Sequence, residues 1–370
     1  MGRAKVTVMV IGVVMLARPA MAQSGATTSR ERGAWEVEAH IGGAMSPEPT
    51  SGVAALPDAG PSFTTMTSRP SRRVSSWFVG DGAQLLNDAL RALGSGAQIA
   101  PLDAAVKGRV VERPSGLTIG ARVSRRLTSR LSAEFAVESG QSRLRFSQAA
   151  RDSIDRSLST FRTAWQGLLA TGPFTSTDVT STSVVPGEGG RQVLLTGAVE
   201  IALSARTRVQ PYAIAGAGVA RNTGEAPVAT LSGTYQFLIF GAAPVRETDS
   251  IAIRASVPRS TPVGVFGGGA RVHLSPRWGI RGDVRVHVGR NRIDTLLDET
   301  PFTQTVTAPM AVIASGTTPS IQFRNFSTPG AGQGNGQNTF SGDPISGFKT
   351  FTGTGAATSV NLTVGAFWRW

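Results

Sequence analysis

Polar and apolar residues alternate strictly along several segments of the chain. In the first segment, Trp35 to Ile41, every second side chain is apolar and the residues between are Glu36, Glu38 and His40. The same alternation occupies eight segments, at about 35–41, 117–124, 131–138, 192–203, 209–222, 262–274, 278–288 and 358–370. A period of two is typical of β-strands whose two faces meet different surroundings. The pattern therefore predicts an all-β fold with eight strands.

The connections between these strands alternate between short and long. The short ones are Thr128–Arg130, Ser204–Arg206 and Ser275–Arg277. The long ones, at about 45–115, 147–190, 223–261 and 289–357, are rich in Gly, Pro, Ser and Thr. Short turns at one end and long loops at the other are typical of a transmembrane β-barrel.

Parts of the long connections have patterns of their own. Residues 83–93 and 149–169 have the apolar spacing of helices. Residues 234–240 and 250–257 resemble two further strands. These two strands form either a hairpin above the membrane or a fifth strand pair, so ten strands remain possible beside eight.

Alternation alone does not separate a membrane barrel from a soluble β-sandwich or barrel in the periplasm. In the soluble fold Val199, Val284 and Leu362 would meet in a dry interior, whereas in a membrane barrel they would face lipid. Two features favour the membrane. The apolar faces extend over about 9–11 positions, which is the length of a tilted spanning strand. Four tryptophans lie near short turns or strand ends, namely Trp35, Trp278, Trp368 and Trp370. This is the placement expected of an aromatic girdle at a membrane interface. We therefore expect a closed antiparallel barrel, since lipid requires every backbone polar group to be paired.

The last strand carries a third feature. It contains a polar residue, a glycine, an aromatic residue and a terminal aromatic residue at Thr363, Gly365, Trp368 and Trp370. The last strand of bacterial outer-membrane β-barrels commonly has this arrangement, and the chain resembles the small OmpA/OmpX-type class of these proteins. The segment Gln210–Ala213 also looks like a strand common in them. The terminal residue of that class is usually Phe, so Trp370 is a departure. The resemblance implies that the last strand is read by the barrel-assembly machinery and that periplasmic chaperones accompany the chain during biogenesis.

The N-terminal segment reads as an export signal. Arg3 and Lys5 precede an apolar run from Val6 to Ala17, and Ala20–Ala22 supplies small residues for cleavage. We expect residues 1–22 to be a removed signal peptide and 23–370 to be one barrel domain in the bacterial outer membrane, with both termini periplasmic. A short membrane anchor is the alternative.

The faces opposite the apolar ones place charged side chains inside the barrel. The predicted lumen-lining set is Glu36, Glu38, His40, Arg122, Glu134, Glu138, Glu200, Arg271, Arg281, Asp283, Arg285 and His287, with Arg369 and His273 near one end. An eight-stranded barrel is just wide enough to be filled by side chains, and buried charges are tolerated when paired. We expect interlocking Arg–carboxylate pairs that close the lumen. The alternative is a narrow porin-like channel for ions or small solutes.

Composition narrows the chemistry further. The chain has no Cys, which excludes a disulfide framework, a thiolate metal site and a cysteine nucleophile. Three His without metal-ligand spacing predict no metal site, and nothing predicts a cofactor. The segment His273–Ser275 resembles the His-x-Ser pair of outer-membrane lipid A deacylases, which makes a lipid-modifying hydrolase a remote alternative. Ser275 lies beside a short turn at the expected periplasmic end, and no acidic residue is spaced to orient the histidine, so we expect a non-enzymatic protein.

The net charge of +13 comes almost entirely from arginine. Export and the scattering of these residues argue against nucleic acid as a partner. Arginine binds phosphate bidentately, so loop arginines would suit the phosphates of lipopolysaccharide, although solubility of the loops explains them equally well. The candidates are Arg69, Arg72, Arg73, Arg221 and Arg246. The expected protein is a monomeric barrel with a structural or surface-interaction role, partnered by outer-membrane lipid and lipopolysaccharide.

Overall fold

The computed structural model describes residues 33–45, 53–54, 62–64, 70–74, 76–103, 106, 109–170, 174–185, 187–204, 208–239, 245–307, 311–316, 322–324, 337–340 and 345–370. The predicted signal peptide at 1–22 lies outside these residues, as does the candidate phosphate ligand Arg69.

Strands make up most of the described chain. In chain order they are β1 (Trp35–Met45), β2 (Val53–Ala54), β3 (Ser62–Thr64), β4 (Pro70–Val74), β5 (Val111–Glu112), β6 (Gly116–Arg126), β7 (Leu131–Gly140), β8 (Arg145–Phe146), β9 (Phe174–Val184), β10 (Arg191–Ala202), β11 (Val209–Thr223), β12 (Val228–Ile239), β13 (Val245–Ser256), β14 (Ser260–His273), β15 (Trp278–Thr307), β16 (Ala311–Gly316), β17 (Gln322–Arg324), β18 (Gln337–Phe340) and β19 (Ile345–Arg369). The helices are α1 (Gly80–Ala92) and α2 (Gln148–Leu169). No helix in the described ranges is long and apolar enough to cross a membrane.

Eight of these strands form a closed antiparallel barrel. The order around it is β1-β6-β7-β10-β11-β14-β15-β19, and β19 pairs back onto β1. Closure is visible in the register, where Trp368 of β19 is opposite Val37 of β1 on one side and Trp278 of β15 on the other. The predicted fold class is confirmed with eight strands rather than ten.

The two extra strand-like segments form the hairpin β12–β13 outside the barrel. β13 pairs with the part of β15 that continues beyond the barrel, with Ile253 opposite Leu297. β12 pairs with β13 and with β9. This outer sheet lies within the predicted long loops, and β15 extends to Thr307 because β13 and β19 supply partners for its backbone along that length.

The apolar faces of the barrel strands point outward. Val199, Val284 and Leu362 are 44%, 43% and 58% exposed, while the alternating charged residues are buried. A soluble fold would reverse this arrangement, so the soluble alternative is wrong.

The two ends of the barrel differ. At one end, here called the turn end, β1 begins, β19 ends, and the short turns Leu127–Arg130 and Leu274–Arg277 join neighbouring strands. Leu127 N and Thr128 N both donate to Leu131 O in the first of these turns. We call the opposite end the loop end.

A buried apolar core lies at the loop end, outside the barrel. Helix α2 packs against β9 and β12 of the outer sheet, and α1 packs against α2. Both helices begin and end within a few residues of the predicted 83–93 and 149–169. The rings of Trp165 and Tyr235 stack with centroids 3.5 Å apart, and those of Phe78 and Phe161 with centroids 4.8 Å apart. We call α1, α2, β9, β12, β13 and the outer part of β15 the loop-end domain. The sequence did not predict this core, because its apolar residues are spread over four separate connections.

Candidate functional site: the barrel lumen

The structure places all twelve predicted lumen-lining residues inside the barrel. Each is at most 6% exposed. They come from six of the eight strands. Arg369 lies at the turn end, where its guanidinium is 3.4 Å from Glu36 Oε2.

Arg122 on β6 is at the centre of this group. Its Nη1 donates to Asp283 Oδ2 at 2.6 Å and to Glu38 Oε1 at 3.0 Å. Its Nη2 donates to Thr363 Oγ1 at 2.9 Å and to Glu138 Oε1 at 3.3 Å. One guanidinium therefore joins β6 to β1, β7, β15 and β19, using donors that a buried arginine must satisfy.

Arg281 on β15 forms the second hub. Its Nη2 lies 2.8 Å from Glu134 Oε2 and 3.3 Å from Glu200 Oε2, and its Nη1 lies 3.4 Å from Glu38 Oε2. Its Nε donates to Tyr212 Oη at 2.6 Å, and the guanidinium carbon sits 4.5 Å from the centre of the Tyr212 ring.

The remaining arginines complete the network toward its two edges. Arg285 Nη1 lies 2.6 Å from Glu134 Oε1, and Arg285 Nη2 donates to Asp283 Oδ2 at 3.2 Å. Arg271 contacts both carboxylate oxygens of Glu200, and its Nε lies 3.1 Å from Glu36 Oε1. Every buried arginine of the predicted set thus contacts at least one carboxylate.

His40 and His287 lie at the loop-end edge of the network. His40 Nε2 is 3.5 Å from Glu138 Oε1 and His40 Nδ1 is 3.7 Å from Glu38 Oε1. Asn361 Nδ2 donates to Glu138 Oε2 at 2.8 Å. Glu138 is therefore surrounded by a guanidinium, an amide and an imidazole.

A small cavity opens beyond this edge toward the loop end. Its volume is about 30 Å³, which is room for about one or two water molecules. Glu138, Thr118 and Asn361 are among its lining residues, together with Arg113 and Gln192. Arg113 donates to the backbone carbonyls of Ser142 and Gly190, and burial lowers the pKa of its guanidinium.

Tyr212, Thr363 and Asn361 belong to the network although the sequence did not assign them to it. Tyr212 Oη donates to Asp283 Oδ2 at 2.9 Å, and Thr363 Oγ1 donates to Asp283 Oδ1 at 2.7 Å. Their positions in the sequence could have revealed this, because each alternates along β11 or β19 with apolar residues that face outward. The sequence pattern assigns Thr363 only to the predicted assembly signal. Gly365 of that signal also faces the lumen, where a Cβ would lie 2.5 Å from Glu38 Oε1.

The predicted interface aromatics gather at the turn end. The ring centroids of Trp278 and Trp368 are 6.1 Å apart, and those of Trp368 and Trp370 are 5.4 Å apart. Trp35 N donates to Trp370 O, so the first and last barrel strands meet here. The guanidinium carbon of Arg125 lies 5.4 Å from the ring centre of Trp35.

Within the part of the chain that the structure describes, no hydrogen bond or ion pair joins His273 to a carboxylate. Ser275 lies in an exposed turn, where its hydroxyl accepts hydrogen bonds from the backbone N–H groups of Arg277 and Trp278. The ring of His273 packs edge-on against Phe367 with centroids 5.4 Å apart. Within the described ranges, no group of His, Asp and Glu residues has an arrangement that could hold a metal ion.

A second group of buried polar side chains lies in the loop-end domain. Asp249 Oδ2 accepts hydrogen bonds from Trp77 N at 2.5 Å and Ser76 Oγ at 3.1 Å, and burial raises the pKa of this carboxyl well above its usual range. Tyr235 Oη donates to Glu247 Oε2 and accepts from Trp77 Nε1. Burial raises the pKa of Tyr235 well above its usual value too. These bonds tie the segment before α1 to the outer sheet.

Arg246 and Arg221, two of the candidate phosphate ligands, have different surroundings. Arg246 donates to Gln236 Oε1 within the outer sheet. Arg221 is exposed on the outward face of β11. Arg72 and Arg73 lie in β4, and their side chains are outside the described part of the structure.

No protein-family model matches the sequence, and no curated protein matches it. Among solved structures, the outer membrane protein OprG from Pseudomonas aeruginosa aligns over 92% of this chain and 97% of its own, with 9% identity and a TM-score of 0.40. The outer membrane protease OmpT from Escherichia coli aligns over 94% of this chain and 99% of its own, with 7% identity and a TM-score of 0.27.

The strand pairing and the outward apolar face carry the assignment independently of these matches. A closed sheet leaves no unpaired edge, and its exposed aliphatic belt is stable only where hydrocarbon surrounds it. The chain accordingly folds as a closed, eight-stranded transmembrane β-barrel.

Proposed function

We propose that this protein is a non-enzymatic surface barrel with a closed lumen, and that it acts through the loop-end domain. In this view the barrel anchors the protein and orients that domain. The domain supplies a rigid, folded platform rather than a set of separate loops.

The observation that carries the proposal is the ionic network across the lumen. Arg122 and Arg281 each contact carboxylates from several strands, and both are at most 2% exposed. An eight-stranded barrel has little space beyond its own side chains. A network that holds β1, β6, β7, β10 and β15 together therefore favours a plug over a pore.

The proposed orientation has the turn end in the periplasm and the loop end outside the cell. Short periplasmic turns and long outer connections are the usual arrangement of such barrels. Both β1 and β19 have their free ends at the turn end, so both termini are periplasmic in this orientation. The barrel closes on itself, which supports a monomer.

Partners follow from this orientation. During biogenesis we propose that the barrel-assembly machinery reads the last strand through Thr363, Gly365, Trp368 and Trp370, after periplasmic chaperones have delivered the chain. In the membrane the partners are outer-membrane lipid and lipopolysaccharide. The turn position of Ser275 supports the absence of hydrolase activity, because its hydroxyl holds the turn.

Conductance tests the closed lumen. Purified protein in planar lipid bilayers is expected to show no stepwise current. The paired variant Arg122→Ala with Asp283→Ala removes a cation and an anion together, and we expect it to produce steps because a wall-to-wall contact is lost. The matched control removes the surface pair Arg91–Asp88, whose atoms lie 2.8 Å apart, and should stay silent. Regular steps from the unmodified protein would support the narrow porin-like channel instead.

A further inference from the structure

We propose that Arg191, Arg221 and Arg290 form a binding site for the phosphate groups of the glycolipid in the outer leaflet, which is lipopolysaccharide in this membrane. The inference rests on the proposed orientation, in which the loop end meets the outer leaflet. It assigns that partner to one patch of the barrel wall, here called the arginine patch.

The three residues lie on the outward face at the loop-end border of the apolar belt. Arg191 begins β10, Arg221 is near the end of β11, and Arg290 directly follows Gly289, the last residue of β15 that pairs with β14. All three are exposed. Each shares its strand parity with outward apolar residues nearer the middle of the barrel, namely Leu195, Val219 and Val288, which are 36%, 39% and 40% exposed.

The strand register brings these arginines near one another. Arg191 is opposite Thr223, and Arg221 is opposite Val193, so the two arginines are diagonal neighbours on one face, a spacing of roughly 7–8 Å. Arg221 is opposite Ser260 at the start of β14, and Val263 of the same strand is opposite Gly289. Arg290 therefore lies two strands from Arg221, roughly 10 Å across the sheet.

The guanidinium groups of the arginine patch have no acidic partner among the described residues. Within the described part of the chain, no salt bridge or side-chain hydrogen bond engages the guanidinium groups of Arg191, Arg221 and Arg290. By contrast, Arg145 pairs with Glu112 at 2.9 Å, Arg254 with Asp298 at 2.6 Å and Arg292 with Asp294 at 3.1 Å. Three uncompensated cations side by side repel one another, so an anion from outside the chain stabilises them.

The residue types at the two borders of the apolar belt identify that anion. The turn-end border carries the tryptophan cluster, which suits a phospholipid interface. At the loop-end border of β10, β11 and β15 the outward residue is an arginine instead. Guanidinium groups bind phosphate through two parallel N–H···O bonds, and several phosphates at one depth are what a phosphorylated glycolipid headgroup presents.

The test compares lipid binding by three forms of the full-length barrel, refolded in a zwitterionic detergent. These are the unmodified protein, the variant R191Q/R221Q/R290Q, and the charge-matched control R151Q/R156Q/R162Q, whose substitutions lie on helix α2. The probe is purified diphosphoryl lipid A, and dissociation constants are measured by native mass spectrometry at fixed salt. Heat-modifiable mobility on a denaturing gel checks that each variant is folded.

We expect the patch variant to bind diphosphoryl lipid A about tenfold or more weakly, since charge-assisted contacts are lost, while the control binds like the unmodified protein. Equal loss in patch and control would mean that net charge alone governs binding, and it would overturn the site. Equal binding of phosphatidylglycerol and lipid A to the unmodified protein would overturn the assignment to a phosphorylated glycolipid. Conductance is measured on the same samples, so a conducting barrel that still binds lipid A through the patch would refute the closed lumen and leave this site standing.

Discussion

Arg122 and Asp283 face each other inside the barrel, where Arg122 Nη1 donates to Asp283 Oδ2 at 2.6 Å and Nη2 donates to Oδ1 at 3.3 Å. The two residues are 161 positions apart in the chain, on strands that are not neighbours in the sheet. The pair thus joins parts of the wall that backbone hydrogen bonds do not connect directly.

Removing the guanidinium of Arg122 while keeping its carboxylate partners should strongly destabilise the folded barrel. Arg122→Met leaves the carboxylates of Glu38, Glu138 and Asp283 buried without their shared cation, and we expect a loss of about 3–5 kcal/mol in the free energy of unfolding. The measurement is urea unfolding in detergent, followed by tryptophan fluorescence. The exposed control Arg156→Gln should change the midpoint little, and an unchanged midpoint in Arg122→Met would show that the network contributes nothing to stability.

A charge on the outward face should be costly only where lipid surrounds the barrel. Val284→Arg lies at the middle of the outward row of β15, and we expect it to cost about 2–4 kcal/mol of folding free energy in a bilayer. Val184→Arg is the matched control, because Val184 is 69% exposed on β9, in the outer sheet. Folding into vesicles of phosphatidylcholine, titrated with urea, gives both values. Similar costs at both positions would contradict the placement of the lipid belt.

The loop-end domain should lose stability as the pH rises above the usual range of an aspartate. Asp249 has a raised pKa in the folded protein, so the folded state holds a proton that the unfolded chain releases near pH 4. Between that pH and the raised pKa, stability falls by up to about 1.4 kcal/mol per pH unit.

Asp249→Asn isolates the contribution of this residue. The amide stays neutral and its oxygen can still accept from Trp77 N and Ser76 Oγ, so the variant should reduce the pH slope without losing the segment before α1. Near-UV circular dichroism of the stacked aromatic core, recorded from pH 4 to 9, reports the domain. The exposed control Asp155→Asn should keep the slope of the unmodified protein, and an unaltered slope in Asp249→Asn would refute this assignment.

Two variants of the last strand test separately its packing in the folded barrel and its role in barrel assembly. Gly365→Ala places a Cβ 2.5 Å from Glu38 Oε1 and 2.7 Å from Ala39 O, so we expect a loss of about 1–3 kcal/mol in purified protein from overpacking. Trp370→Ala removes an exposed terminal ring and should leave the purified barrel nearly as stable. In cells, Trp370→Ala should lower the amount of folded barrel in the outer membrane, because the predicted assembly signal is lost. Normal assembly of this variant would argue against that signal.

The alternation of side chains by itself determined much of the barrel. It assigned Val199, Val284 and Leu362 to one face and Arg122, Glu134 and Asp283 to the other, because a strand with a period of two allows only two faces. Alternation also identified all four buried arginines of the network. It did not say which face meets lipid, and aromatic placement and turn length were needed for that choice.

Tertiary structure decided the features that depend on residues distant in the chain. The contacts of Arg122 with Glu38, Asp283 and Thr363 depend on barrel closure and on strand stagger, which no local pattern contains. The loop-end core has the same origin, since Trp77, Trp165 and Tyr235 come from three connections whose apolar residues are too sparse to predict a core singly. The alternation of side chains is a local property of each strand, so the two faces could be predicted from the sequence. The contacts could not, because they depend on how segments distant in the chain pack together.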